Sequence, residues 1–181
     1  WKKAQHLRKM FELIGKKLGM NVRVVITDGS QPIGNGIGPL LEAEDVMAVL
    51  RNELTAPADL KKKALILAGI LIEMTGKYKN GFQIAKEALE SGKAFHKMNQ
   101  IIETQGRQKK PKLGAYRYPI HNGKIGRIKS IDNDIIAKIA RIAGAPDDKG
   151  SGLYLVRKVN EIVKKGDLLY TIYAESKFKL D

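Results

Sequence analysis

The stretch ITDGSQPIGNGIGP, residues 26–39, is the most unusual segment of the chain. Its last twelve residues hold four glycines and two prolines, which is too many breakers for a regular helix or strand. The β-branched run before it, residues 22–26, predicts a buried strand, and the apolar pattern after it predicts a helix over residues 40–50. The sequence therefore predicts a loop between a strand and a helix. We call residues 28–39 the glycine-rich loop.

Three glycines of this loop, Gly34, Gly36 and Gly38, lie just before the predicted helix N-terminus. Free backbone N–H groups at such a place bind phosphate, which makes these glycines candidates for a phosphate or nucleotide site. The run is not Gly-x-Gly-x-x-Gly, however, and no Walker lysine follows it. A tight turn whose glycines supply positive φ angles is the competing interpretation.

The pattern up to residue 112 is mostly helical. Apolar residues three and four apart predict an amphipathic helix over residues 1–18, which Gly19 ends. A second helix begins at Pro57 and ends near Gly76, and its nearly uniform apolar surface predicts that it is buried. Two shorter helices are predicted for residues 80–90 and for the segment after Gly92.

Charge and a proline in residues 107–112 interrupt the helical pattern and predict a domain boundary there. The predicted fold class is thus α/β to α+β, with a mostly helical domain in residues 1–112 and a small β-rich domain in residues 113–181. The β-rich part contains a helix over residues 133–143, and Asn122-Gly123 predicts a hairpin turn between its first two strands. Its predicted strands are residues 116–120, 124–128, 153–159 and 168–173.

Near the C-terminus, residues 163–169 followed by Lys177 resemble the hairpin of lipoyl and biotinyl carrier domains. The acidic context of the modified lysine in those domains is missing here. We take the resemblance as one of strand-turn-strand geometry, which favours a barrel-sandwich type of fold for the C-terminal domain.

Composition excludes several classes of protein. The 181 residues contain no cysteine, which removes disulfides, thiolate metal sites and cysteine nucleophiles. No apolar run approaches the ~20 residues that cross a bilayer, and the first residues lack a signal-peptide pattern. We expect a globular, cytoplasmic protein that does not bind membranes.

The formal net charge is +14, from 33 Lys and Arg against 19 Asp and Glu. An acidic partner such as nucleic acid is one explanation, and the basic residues 61–63 and 107–112 would contact it, with Tyr116 and Tyr118 available for stacking. A solvated surface is the other explanation. No nucleic-acid reader motif is present, which disfavours the first, but a nucleic-acid-binding or assembly module remains the alternative function.

Nothing in the sequence predicts a catalytic residue in this chain. His6, His96 and His121 have no second ligand at metal-binding spacing, and Ser30 and Ser151 are not in a Gly-x-Ser-x-Gly elbow.

The glycine-rich loop and its flanks nevertheless resemble a known family. ITDGSQPIG (residues 26–34) and its continuation GNGIGPLLEA (residues 34–43) to Asp45 and Val46 resemble the thymidine and pyrimidine nucleoside phosphorylases. The second stretch looks most like the archaeal AMP phosphorylase branch. Weaker similarity continues along nearly the whole chain, in residues 90–94, 102–106, 139–145 and 163–172.

The resemblance implies phosphorolysis of an N-glycosidic bond, with inorganic phosphate as co-substrate and a nucleoside or nucleotide as substrate. It also implies a homo-oligomer. The family's phosphate loop and base-binding residues have no counterpart here, and Trp1 stands where an initiator methionine would be expected. We therefore expect the C-terminal portion of such an enzyme, inactive alone.

The same resemblance implies one ion site. Related bacterial enzymes hold a monovalent cation with two backbone carbonyls and a glutamate from this region, together with ligands from the part of the enzyme that this chain lacks. Here an aspartate, shorter by one methylene, stands in place of the glutamate. The matching positions are Ile33, Gly36 and Asp45, which would bind potassium. The competing explanation for Asp45 is an acidic residue that stabilises the start of its helix.

Overall fold

The computed structural model describes residues 1–180 and shows a mixed fold of helices and antiparallel sheets. Six α-helices form in these residues: α1 (Lys2–Lys17), α2 (Pro39–Leu50), α3 (Ala58–Met74), α4 (Gly81–Glu90), α5 (Lys93–Thr104) and α6 (Asn133–Ile142). The strands are β1 (Gly36–Ile37), β2 (Tyr116–His121), β3 (Gly126–Arg127), β4 (Gly152–Leu155), β5 (Ile162–Val163) and β6 (Leu168–Ala174). The mixture of helices and sheet is as predicted, whereas the barrel-sandwich geometry stays a prediction.

The chain divides into two compact units. One contains residues 1–28 and 64–86, and the other contains residues 29–63 and those from 87 onward. The domain boundary after residue 112 stays a prediction. Strand β1, which precedes that boundary, pairs with β4, which follows it.

The larger unit is organised around a four-stranded sheet with the order β1-β4-β6-β2. Every neighbouring pair is antiparallel, and the register places Gly36 opposite Tyr154 and Leu153 opposite Ile172. Strands β3 and β5 form a separate antiparallel pair. The main sheet thus brings the end of the glycine-rich loop beside the C-terminal strands.

Helix α6 and the main sheet share the core of this unit. The side chain of Asp132 caps α6 by accepting hydrogen bonds from the N–H groups of Asp134 (2.9 Å) and Ile135 (3.0 Å). Gly144, with φ of 117°, follows the last turn. The buried residues that pack together are Ile136, Ala140, Ala145, Leu153 and Leu155.

The smaller unit depends on close approach between backbones. A Cβ atom on Gly69 of α3 would lie 2.6 Å from the backbone nitrogen of Phe82, at the start of α4. The carboxylate of Glu73 accepts a hydrogen bond from the N–H of Gly81 (3.2 Å) and pairs with Arg23 (3.7 Å). Glycine at position 69 therefore permits the contact between these two helices.

Two predictions for this part of the chain are wrong. Residues 22–26 form no strand, because no strand among residues 1–180 pairs with them, and a β-branched run alone makes no ladder. Helix α3 is not buried, since Leu67 and Leu71 are 39% and 65% exposed. The apolar pattern predicts the helix, but it does not determine how much of the helix is covered by other elements.

The predicted hairpin at Asn122-Gly123 is also wrong. Strands β2 and β3 do not pair with each other, because β2 pairs with β6 and β3 with β5. Asn122 instead exchanges backbone hydrogen bonds with Gly166 and Asp167 (both 2.8 Å). The second and third predicted strands are also shorter than expected, with two and four residues.

None of the helices in the described part of the chain is both long and apolar enough to cross a bilayer.

Candidate functional site

The backbone of the glycine-rich loop requires glycine at several positions. Gly34 and Gly38 have φ angles of 72° and 122°, which L-amino acids rarely adopt. A Cβ atom on Gly36 would lie 2.5 Å from the carbonyl carbon of Leu41, and one on Gly38 would overlap the carbonyl oxygen of Ser151. Gly34 and Gly38 thus supply the positive φ angles of the competing interpretation, whereas Gly36 lies in β1 and is required by its close approach to Leu41.

Asp45 binds the amide groups at the centre of the loop. Its Oδ2 atom accepts hydrogen bonds from the N–H groups of Asn35 (2.6 Å) and Gly36 (2.7 Å). The residue lies on α2 and is only 6% exposed. A buried carboxylate that accepts two backbone N–H groups fixes the loop against its following helix.

The other two candidate glycines also donate to carboxylates. The N–H of Gly34 points to Oδ1 of Asp59 (3.3 Å), and the N–H of Gly38 donates to Oε1 of Glu42 (2.9 Å). A phosphate group would have to displace these negative charges before it could reach the same amides. The phosphate site at Gly34, Gly36 and Gly38 stays a prediction that these contacts do not favour.

The carbonyl groups of the loop face a positive charge. The ammonium group of Lys158 donates to the carbonyl oxygens of Pro32 (2.9 Å) and Gly34, and it lies 3.3 Å from Oδ2 of Asp59. The next residue, Val159, donates its backbone N–H to the side-chain oxygen of Gln31 (2.8 Å). Two consecutive residues of the C-terminal region thus hold the first half of the loop.

Sequence reasoning missed this contact. Lys158 and Gly34 are 124 residues apart, and Lys158 is one of many basic residues in a chain with a net charge of +14. A lysine that carries an interaction looks the same in the sequence as one that faces water. One feature of the sequence could have indicated such a contact. A loop rich in glycine and proline forms few backbone hydrogen bonds of its own, so its carbonyl groups require donors from elsewhere in the chain.

The predicted potassium ligands are brought together only in part. Asp45 and Gly36 are in contact, but through the N–H of Gly36 rather than through its carbonyl. The carbonyls on either side of Ile33, those of Pro32 and Gly34, accept hydrogen bonds from Lys158. A side-chain cation therefore lies against these two oxygens, which are neighbours of the predicted ligands and not the ligands themselves. The ion site at Ile33, Gly36 and Asp45 stays a prediction.

A side-chain contact is seen for one of the three histidines, His96. The ring of His96 lies 3.1 Å from the amide nitrogen of Gln100 on α5. No group of three or more His, Asp or Glu residues in the described part of the chain is arranged to hold a metal ion.

The basic segment 107–112 is partly neutralised within the chain. Arg107 donates to the carboxylate of Glu103 (2.6 Å), and Lys110 donates to that of Glu44 (2.8 Å). Lys61, in the other basic run, donates to the side-chain oxygen of Asn52 (3.0 Å). The two ion pairs reduce the positive charge that residues 107–112 offer to a nucleic-acid backbone, whereas the neutral side chain of Asn52 leaves the charge of Lys61 in place.

Comparison with known proteins shows which proteins the chain is similar to. Residues 127–181, which contain Lys158 and strands β4 to β6, match the pyrimidine nucleoside phosphorylase C-terminal domain. The chain is therefore similar to thymidine and pyrimidine nucleoside phosphorylases, the family that its glycine-rich loop resembles.

Three bacterial relatives, each described as "putative thymidine phosphorylase", extend this similarity to almost all of the chain. The protein of Methylococcus capsulatus is 45% identical over 95% of this chain and 34% of its own length. Those of Albidiferax ferrireducens and Rhodopseudomonas palustris are 46% and 48% identical over 98% of this chain and 35% of their own lengths. The chain thus spans about a third of the length of the curated relatives it matches.

Proposed function

We propose that this chain is the C-terminal portion of a nucleoside or nucleotide phosphorylase, a transferase that uses inorganic phosphate to release the base. The observation that carries the proposal is sequence identity of 45–48% to relatives described as thymidine phosphorylases, over 94% or more of this chain. The match of residues 127–181 to the C-terminal domain of the family supports the same assignment.

The reaction requires parts that this chain does not offer. Phosphate attacks the anomeric carbon as the base departs, so the enzyme must hold phosphate with cationic and hydrogen-bonding groups and stabilise a positively charged, oxocarbenium-like transition state. The amides of Gly34, Gly36 and Gly38 donate to carboxylates instead. We propose that the glycine-rich loop has a structural role and that the chain alone does not release base.

The finer proposal concerns the substrate. The stretch GNGIGPLLEA, residues 34–43, resembles the archaeal AMP phosphorylase branch, which favours AMP. The products would be adenine and ribose 1,5-bisphosphate. Thymidine is the alternative, because the relatives are described as thymidine phosphorylases. Discrimination between them belongs to residues outside this chain.

The proposal is tested by measuring base release from AMP, thymidine and uridine by the whole protein that contains this chain and by the 181 residues alone. We expect release by the whole protein that requires phosphate and is not supported by sulfate, with AMP the preferred substrate. We expect no release by the 181 residues.

Each part of the proposal would be contradicted by a different result. Absence of phosphorolysis with all three substrates would contradict the assignment, and preference for thymidine would contradict the AMP proposal alone. Activity of the isolated 181 residues would overturn the structural role of the loop. Light scattering on the same whole protein checks the homo-oligomer that we propose from the family resemblance.

A further inference from the structure

We propose that the ammonium group of Lys158, rather than a bound metal ion, is the cation that holds the glycine-rich loop in place. A lysine ammonium group has three N–H donors. In this structure three oxygen acceptors surround it: the carbonyls of Pro32 and Gly34 and the carboxylate of Asp59. The hydrogen-bonding capacity of the ammonium is therefore filled by the protein.

The N–H groups and the carbonyl groups of the loop face side chains of opposite charge. The N–H groups of Asn35 and Gly36 point to Asp45, whereas the carbonyl groups of Pro32 and Gly34 point to Lys158. Asp59 joins the two sets, since one of its oxygens accepts from the N–H of Gly34 and the other pairs with Lys158. The positive charge of Lys158 thus faces the carboxylate of Asp59 and two carbonyl groups that are directed at it.

Hydrogen bonds of the backbone at residues 158 and 159 hold Lys158 next to the loop. Its own N–H donates to the carboxylate of Glu161 (3.1 Å), and the N–H of Val159 donates to Gln31 of the loop (2.8 Å). Its side chain is only 17% exposed. Because the ammonium is tethered and largely withdrawn from water, its binding costs less entropy than the capture of a free ion.

An ammonium group and a potassium ion carry the same charge and have similar radii, so one can replace the other among carbonyl oxygens. The inference follows from contacts inside this chain and does not depend on the proposed enzyme activity. Its test therefore measures stability rather than base release.

The experiment compares the wild-type chain with Lys158→Met, which removes the charge and keeps an unbranched stem. The matched control is Lys165→Met, at an exposed lysine of the same C-terminal region. Thermal unfolding is measured in potassium, ammonium and tetramethylammonium chloride at one fixed ionic strength. Hydrogen exchange of the amides of Asn35 and Gly36 reports on the loop itself.

We expect the wild type and the control to unfold at the same temperature in all three salts. Lys158→Met should unfold at a lower temperature in tetramethylammonium and regain about 2–4 °C in potassium or ammonium. The amides of Asn35 and Gly36 should exchange faster in the variant and be protected again by the small cations, while that of Leu153 stays unchanged. A general loss of packing would not distinguish potassium from tetramethylammonium.

Two results would overturn the inference. One is specific stabilisation of the wild type by potassium, which would mean that the loop binds an ion in addition to Lys158. The other is a variant whose unfolding temperature is the same in all three salts. If Lys158→Met does not give folded protein, Lys158→Gln provides the same comparison with a neutral donor.

Discussion

Strand β4 and helix α1 differ in how their apolar residues are used. Leu153 and Leu155 of β4 are 0% and 3% exposed, whereas Leu7, Phe11 and Leu18 on or beside α1 are 55–68% exposed. Both segments have a regular apolar pattern, and each forms in the structure. The pattern therefore predicts the element, but only the surrounding elements decide whether the apolar residues are buried. Leu153→Ala and Phe11→Gln, with the largest and smallest expected effects, test this difference directly. Between them, substitutions at Gly38 and Asp132 test the loop and the helix cap that border the buried core.

The core around β4 is expected to be the most sensitive place. Leu153→Ala removes a fully buried side chain and leaves a cavity against α6, so we expect a loss of about 2–5 kcal/mol in the free energy of unfolding. Urea denaturation of the 181-residue chain measures it. Ile142→Ala, at a position on α6 that is 62% exposed, is the control and should cost much less. Equal losses from the two substitutions would contradict the burial difference.

Gly38 tests the loop that leads into this sheet. Its φ angle of 122° is unfavourable for L-amino acids, and a Cβ atom would overlap the carbonyl oxygen of Ser151. For Gly38→Ala we expect a loss of about 1–3 kcal/mol from the backbone conformation, with the overlap adding to it. Gly123→Ala has open space around its Cβ and should leave the urea midpoint nearly unchanged. A tolerated Gly38→Ala would mean that the turn is not as described.

Helices α6 and α1 also differ at their N-termini. Asp132 caps α6 with two hydrogen bonds, whereas Trp1 provides no side-chain cap for α1. We expect Asp132→Ala to lower the free energy of unfolding by about 1 kcal/mol, because it leaves two N–H groups without their acceptor. Asp132→Ser, which keeps a capping oxygen, should recover most of the loss. If alanine and serine behave alike, the cap does not contribute.

The sequence was sufficient for the elements whose determinants are local. All six helices were predicted, because apolar spacing and glycine stops act within one or two turns, and β2 and β6 were predicted from their β-branched and aromatic residues. What failed depends on distant partners: residues 22–26 lack a neighbouring strand, and β2 pairs with β6 rather than with β3.

The candidate site shows the same division. The glycines were predicted from the pattern of the loop and Asp45 from the family resemblance, and the structure does bring Asp45 and Gly36 together. The role of the loop's carbonyl groups could not be predicted, because Lys158 reaches them from 124 positions away. Nothing local distinguishes this lysine from its many solvated counterparts.

The smallest expected effect is on the exposed face of α1. Phe11 is 58% exposed, so Phe11→Gln removes little buried surface from the 181-residue chain. We expect the free energy of unfolding to change by less than about 0.5 kcal/mol, similar to Lys9→Gln on the same helix. A loss above about 1 kcal/mol for Phe11→Gln alone would show that this face is covered. In that case the apolar residues of α1 would be buried as those of β4 are, only to a smaller extent. The segment that covers this face of α1 would then have to be identified.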